Sequence, residues 1–211
     1  MVFRAAVFDL DGTLIDSYQA IHESLSHVLA TYGKPPVTAA ETRRMVGHGL
    51  ESLIAQAVDA ALVQDGVRVF REHYRVVAPE KTWLLAGAAE LIAALAERGV
   101  PMGIASNKPS YFSRQLLERL GLGERFVDIV GPDRGFPPKP APDMVLALLA
   151  SMGAAPAETL FIGDMPVDVQ TARAVGMPIA VLPTGSSDRE ELQACAPDCL
   201  LGGLMDVLDL F

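Results

Sequence analysis

Short, nearly unbroken apolar runs recur along this chain, each stopped by turn residues and followed by a helical pattern. They are Phe3 to Phe8, Val100 to Ala105, Thr159 to Ile162 and Pro178 to Leu182, with Val127 to Val130 as a weaker fifth. Successive side chains of a strand point to opposite sides of a sheet, so a strand that is apolar at every position must be buried on both faces. Helices between the strands supply that cover, and strand–helix–strand crossovers make neighbouring strands parallel. The pattern predicts an α/β fold with a doubly wound, Rossmann-like parallel sheet. The helical stripes agree: Leu91, Ile92 and Leu95 end at Gly99, and Leu116, Leu117 and Leu120 end at Gly121. Glycine just past the last apolar position is the expected helix stop.

The interval from residue 16 to residue 81 breaks the alternation, with no convincing strand. Ile21, Leu25, Val28, Leu29 and Tyr32 form a helical stripe, halted by Gly33 and Pro35-Pro36. Thr38 followed by Glu41 is a capping-box pattern. Two further stripes are Leu50, Leu53, Ile54, Ala57 and Val58, then Val67, Phe70, Tyr74 and Val77. Such an insertion is too long for an ordinary loop. The expected organisation is a core from residues 1–15 and 82–211, with an inserted α-helical cap domain, 16–81, over the sheet's C-terminal edge.

Half of the residues are hydrophobic and a fifth are charged, the profile of a folded chain. No apolar stretch of about 18 residues is present, so no membrane partner is expected. Met1-Val2-Phe3-Arg4 lacks a secretory pattern, and a cytoplasmic location is the expectation. Cys195 and Cys199, without neighbouring ligands, read as reduced thiols. The net charge of −9 excludes a nucleic-acid partner, since no Lys/Arg stripe exists to neutralise a phosphate backbone. Binding any phosphate would require compensating charge supplied locally, by a metal ion and placed lysines.

Asp9 ends the first apolar run, where ligands bind in open α/β sheets. Asp11 follows at the spacing that turns both carboxylates the same way, and Gly12 lets the chain leave the strand. A turn or a calcium loop can also carry Asp-x-Asp-Gly, but Thr13, Ile15 and Ser17 do not continue a calcium pattern. Asp164 likewise follows an apolar run, and Asp168 falls in the first turn of a helix begun near Pro166. Helix capping accounts for Asp168 but leaves two strand-end acids unexplained. Asp9, Asp11, Asp164 and Asp168 at one sheet edge suit a hard cation, and Mg²⁺ fits best. Ser106 and Asn107 can offer a hydroxyl, an amide and backbone N–H groups to phosphate oxygens. Lys139 sits in a proline-stiffened loop, Pro137 to Pro142. Lys108 is a rival cation, read here as the start of a helix.

In order, Asp9-x-Asp11-Gly12-Thr13, Ser106, Lys139 and Gly163-Asp164-x-x-x-Asp168 resemble the four motifs of the haloacid dehalogenase superfamily, and the likeness runs end to end. The helical insert resembles that family's first type of cap. Asp16-Ser17, Val46-Gly47-His48-Gly49, Ser106-Asn107-Lys108 and Lys139-Pro140-x-Pro142 look most like the phosphoglycolate phosphatase subgroup. The resemblance implies a Mg²⁺-dependent phosphatase that acts on a small phosphorylated metabolite through an aspartyl-phosphate. Asp9 would be the nucleophile and Asp11 the general acid/base. Asp9, the Asp11 carbonyl and Asp164 would hold the metal with support from Asp168, and Ser106 and Lys139 would hold the phosphoryl group. Met165 departs from the Ser or Thr common at its place.

Asp11 distinguishes a phosphatase from dehalogenases, which lack it, and disfavours phosphonate cleavage. A hexose-phosphate mutase is the nearer alternative, but its cap histidine is replaced by Ile21, with His22 one step off, and a cap arginine near Gly49-Leu50 is missing. A non-catalytic binding or regulatory protein of the same fold is the other alternative, and the intact aspartate pair opposes it. The cap would select the leaving group, with Arg43, Arg44 and His48 expected to face a small acidic ester such as 2-phosphoglycolate.

Overall fold

A computed structural model describes residues 3–211, so Met1 and Val2, at the start of the expected core, lie outside the described residues. The first strand, β1 (Ala5–Phe8), leads through β2 (Ile15–Asp16) into four helices: α1 (Tyr18–Thr31), α2 (Ala39–Met45), α3 (Leu50–Ala55) and α4 (Val63–Val77). The chain returns through β3 (Trp83–Leu84) and then alternates: α5 (Ala88–Glu97), β4 (Met102–Ala105), α6 (Ser110–Arg119), β5 (Asp128–Val130), α7 (Asp143–Met152), β6 (Thr159–Gly163), α8 (Pro166–Val175), β7 (Ile179–Val181), α9 (Arg189–Ala194) and β8 (Cys199–Leu200). The main sheet runs β5-β4-β1-β6-β7-β8, and every pairing in it is parallel.

Each of the five apolar runs contains a strand; four are shortened where the chain bends into its turns, and β6 covers its whole run and adds Gly163. Both faces are buried, as the runs require. Ala6 and Phe8 of β1 join one apolar cluster, whereas Val7 joins another with Ala105, Phe161 and Val181. Two features were not expected. The strand β8 closes one edge with two half-buried residues, too few to show a pattern. The strands β2 and β3 form a short antiparallel ribbon, Ile15 opposite Leu84 and Asp16 opposite Trp83, at the two ends of the helical insert.

Within the insert, Ile21, Leu25, Val28 and Leu29 of α1 and Val67, Phe70 and Tyr74 of α4 are buried, so the stripes read from sequence are the packed faces. The capping box forms as expected, with Thr38 Oγ1 accepting from Glu41 N at 3.2 Å and Glu41 Oε2 accepting from Thr38 N at 2.7 Å. Such a cap contributes roughly 1 kcal/mol. No helix among the described residues is long and apolar enough to cross a membrane.

Candidate active site

From β1 the chain proceeds to β4 and β5 on one side, then crosses to β6 on the other. The crevice at such a divergence lies beyond the carboxyl ends of the central strands. Asp9 follows β1, Ser106 follows β4 and Asp164 follows β6, so three neighbouring strands deliver their side chains to one edge. The Asp9 N–H donates to Ile162 O at 2.9 Å, which holds this residue in line with the sheet.

Beneath Asp9 lies Lys139, whose side chain is 1% exposed. Its Nζ is 3.0 Å from Asp9 Oδ1 and donates to Asp168 Oδ1 at 2.6 Å. Asp168 Oδ2 accepts the N–H groups of Asp164 and Met165, both at 3.1 Å. Burial works against the lysine's charge, but Asp168 and Asp9 outweigh it and hold its pKa above the ordinary value. For Asp9 burial dominates over Lys139, and its carboxyl is pushed up to about 6. The Asp164 carboxyl is raised well above its usual range, first by burial and then by the charges of Asp9 and Asp168.

Oxygens of Asp9, Asp164 and Asp168 lie within 4.8 Å of one another. They are not equally free. Both Asp168 oxygens have partners, so it steadies Lys139 and the Asp164 backbone. Asp164 Oδ1 accepts from Thr13 Oγ1 at 2.6 Å, whereas its Oδ2 is buried without a hydrogen bond. Asp9 Oδ1 also lacks one; its 3.0 Å approach to Lys139 is an ion pair without hydrogen-bond alignment. A Cβ at Gly12 or Gly185 would run into Asp164 Oδ2, so both glycines keep the space beside that oxygen clear. Two raised, incompletely partnered carboxylates with oxygen donors only are the donor set of a hard cation. The residues fit Mg²⁺.

The Asp11 side chain points elsewhere. It accepts Ser17 Oγ on one oxygen and Lys108 Nζ at 2.7 Å on the other. Its carboxylate is therefore outside the cation cluster, a correction to its inclusion among the four metal carboxylates. The Asn107 amide donates to Gly47 O (2.9 Å) and Lys139 O (3.2 Å) and accepts from Lys139 N (2.7 Å), so its side chain bridges two loops at the lining of the same cavity.

Above these groups is a cavity of about 70 Å³. Asp9, Asp11, Ser106 and Lys108 contribute polar lining, and Ile21, Leu50, Leu53, Phe70, Phe112 and Met165 contribute apolar walls. Arg43, Arg44 and His48 do not line it. Arg43 donates to Thr184 O and Gly185 O at 2.9–3.0 Å and stacks 4.1 Å from the Tyr18 ring centroid. Arg44 and His48 are exposed, because the turn after α2 brings Gly47 and Gly49 to the cavity instead. Met165 explains part of that turn: a Cβ at Gly47, whose φ is +126°, would collide with its thioether end. Lys108 and Tyr74 line the cavity as well, and sequence reasoning assigned one to a helix start and the other to an apolar stripe. The available signal was the position of Lys108 two residues past a strand-end serine.

An open parallel α/β sheet with a helical insertion above a carboxylate-lined edge defines the class. Within it, the chain belongs to the haloacid dehalogenase-like hydrolase family, whose sequence profile matches residues 6–182. A phosphoglycolate phosphatase of Rhodospirillum rubrum is 37% identical over 195 residues, covering 87% of this chain and 81% of that protein. A phosphoglycolate phosphatase of Escherichia coli strain K12 is 30% identical over 229 residues, covering 97% and 91%. Among solved structures, a haloacid dehalogenase-like family hydrolase from Streptococcus pneumoniae superposes with a TM-score of 0.90 at 25% identity, covering 98% of this chain and 97% of that one.

Proposed function

We propose that this chain hydrolyses a small phosphate monoester, 2-phosphoglycolate or a near relative, through an aspartyl-phosphate on Asp9, with residues 16–81 acting as the cap. The observation that carries the reading is the buried ion pair between Asp9 and Lys139 at 3.0 Å, on the floor of a cavity that also exposes Asp11 and Ser106. A carboxylate held against an ammonium is positioned to attack an electrophilic centre, and the same ammonium steadies the charge of an incoming phosphoryl group.

In this reading Asp9 attacks phosphorus while Asp11 gives a proton to the departing alkoxide oxygen. Asp11 then takes a proton from the water that attacks the aspartyl-phosphate, releasing inorganic phosphate and restoring Asp9. Ser106 and Lys139 hold the phosphoryl oxygens, and Asp168 keeps Lys139 in place. Mg²⁺, held by Asp9, the Asp11 carbonyl and Asp164, would neutralise charge on the phosphoryl oxygens. A cavity needs roughly 10–15 Å³ to hold one water, so a volume of about 70 Å³ has room for a leaving group of a few heavy atoms. The names of the relatives at 30–37% identity support the choice of ester.

The test is phosphate release from 2-phosphoglycolate with Mg²⁺, in wild type and Asp9→Asn. Loss of about 10³-fold or more in the variant is expected, since removing a nucleophile leaves only binding and charge stabilisation. Full activity in Asp9→Asn would remove the covalent route.

A further inference from the structure

We propose that Met165 and Gly47 form a size gate: the Met165 thioether packs on the glycine of the cap turn and limits how bulky a leaving group the cavity admits. The inference rests on the phosphatase reading above and assigns a specificity-determining residue to the same site.

Met165 stands between Asp164 and α8, and Asp168 fixes its backbone. Asp168 Oδ2 accepts the Met165 N–H at 3.1 Å, and the Asp168 N–H donates to Met165 O at 3.0 Å. Nothing in the chemistry above uses the Met165 side chain. A thioether is a soft, weak ligand, so it adds nothing to carboxylates that fit a hard cation. The side chain reaches the insert instead. It is 8% exposed and lines the cavity, and its Sδ and Cε occupy the space that a Cβ on Gly47 would need.

Gly47 suits that contact in two ways. Its φ of +126° is a conformation other residues rarely adopt, and its missing side chain leaves the notch that the thioether fills. The Gly47 carbonyl also accepts Asn107 Nδ2 at 2.9 Å, which ties the turn to the end of β4. The turn thus rests on the core at one polar and one apolar point. Both Gly47 and Met165 line the cavity, so their contact is a part of its wall and not packing behind it. A shorter side chain at position 165 would leave a gap in that wall, open to a larger leaving group. An unbranched thioether closes such a gap by adapting its shape.

The test compares kcat/KM for 2-phosphoglycolate and for the bulkier p-nitrophenyl phosphate. The two esters share the phosphoryl group, so a disturbance of Asp164 or of the cation slows both alike, whereas the gate changes their ratio. One methylene of pocket space alters discrimination roughly 10- to 200-fold. Met165→Ala should therefore shift the ratio toward p-nitrophenyl phosphate by about 10-fold or more. Met165→Leu keeps most of the buried volume, should shift the ratio the same way by less, and is read in place of Met165→Ala if that variant does not fold. An unchanged ratio overturns the proposal. Gly47→Ala gives an independent check by urea titration. Its methyl group collides with the thioether, an overpacking penalty of about 10-fold or more in the unfolding equilibrium. That penalty should vanish in the Met165→Ala background, while the backbone strain at Gly47 is common to both. Equal losses in the two backgrounds overturn the contact and the gate with it. An active wild type whose ratio does not move in the variants overturns this inference alone. A wild type inert on both esters overturns the phosphatase reading and the gate together.

Discussion

Asp9 carries a conflict between burial and pairing. Lys139 and Ser106 favour its charge, while desolvation and Asp168 oppose it, and the opposing side prevails at a pKa of about 6. Stability linked to such a raised carboxyl is whole below the unfolded-state value near 4 and is lost as pH rises through about 6. Asp9→Asn keeps the neutral shape at every pH. In EDTA it should exceed wild type by roughly 2–3 kcal/mol at about pH 8 and match it near pH 4. Urea titrations at both pH values check this. A variant less stable than wild type at the higher pH would show that pairing with Lys139, and not burial, governs the group.

At the scale of elements, the helical insert meets the sheet edge through a few polar bridges. Arg43, near the end of α2, reaches the carbonyls of Thr184 and Gly185, and Thr184 Oγ1 in turn donates to Gly12 O at 2.6 Å. Asn107 ties Gly47 to the Lys139 loop. The Arg43 guanidinium also covers the buried Tyr18 ring. Arg43→Ala should therefore cost about 1.5–3 kcal/mol, the range for hydrogen bonds from a charged donor, and should speed proteolysis near residues 183–187. Denaturant melts and limited digestion measure both effects, and wild-type behaviour in each would make the bridge decorative.

Across the whole molecule, a net charge of −9 coexists with a proposed anionic substrate. The resolution is local: the buried carboxylates accept a cation and the buried lysines accept anions. Mg²⁺ bound only to the folded form at 100 times its Kd adds about 2.7 kcal/mol, which for a chain of this size raises Tm by about 5–10 °C. The shift should be seen by thermal melting at about pH 8, shrink near pH 5 as Asp9 takes up a proton, and vanish in Asp164→Asn. No shift in wild type would sink the cation site.

The sequence by itself determined the parallel sheet, because strands buried on both faces must be almost wholly apolar, and β1, β4 and β7 are, with Thr159 the one polar residue of β6. It also located Asp9, Asp164 and Lys139, since a polar residue at the end of an apolar strand or inside a proline-rich loop stands out locally. The ribbon of β2 and β3 was illegible, being two residues per strand paired across the whole insert. Only the tertiary structure decided which cations face the cavity. Lys108 and Arg43 look alike as charges in a sequence, yet one is buried against Asp11 and the other grips backbone carbonyls. Tyr74 reads as one more member of an apolar stripe, because periodicity places a ring in the core without saying where its hydroxyl ends. Contacts between residues distant along the chain settle such questions, and no local pattern encodes them.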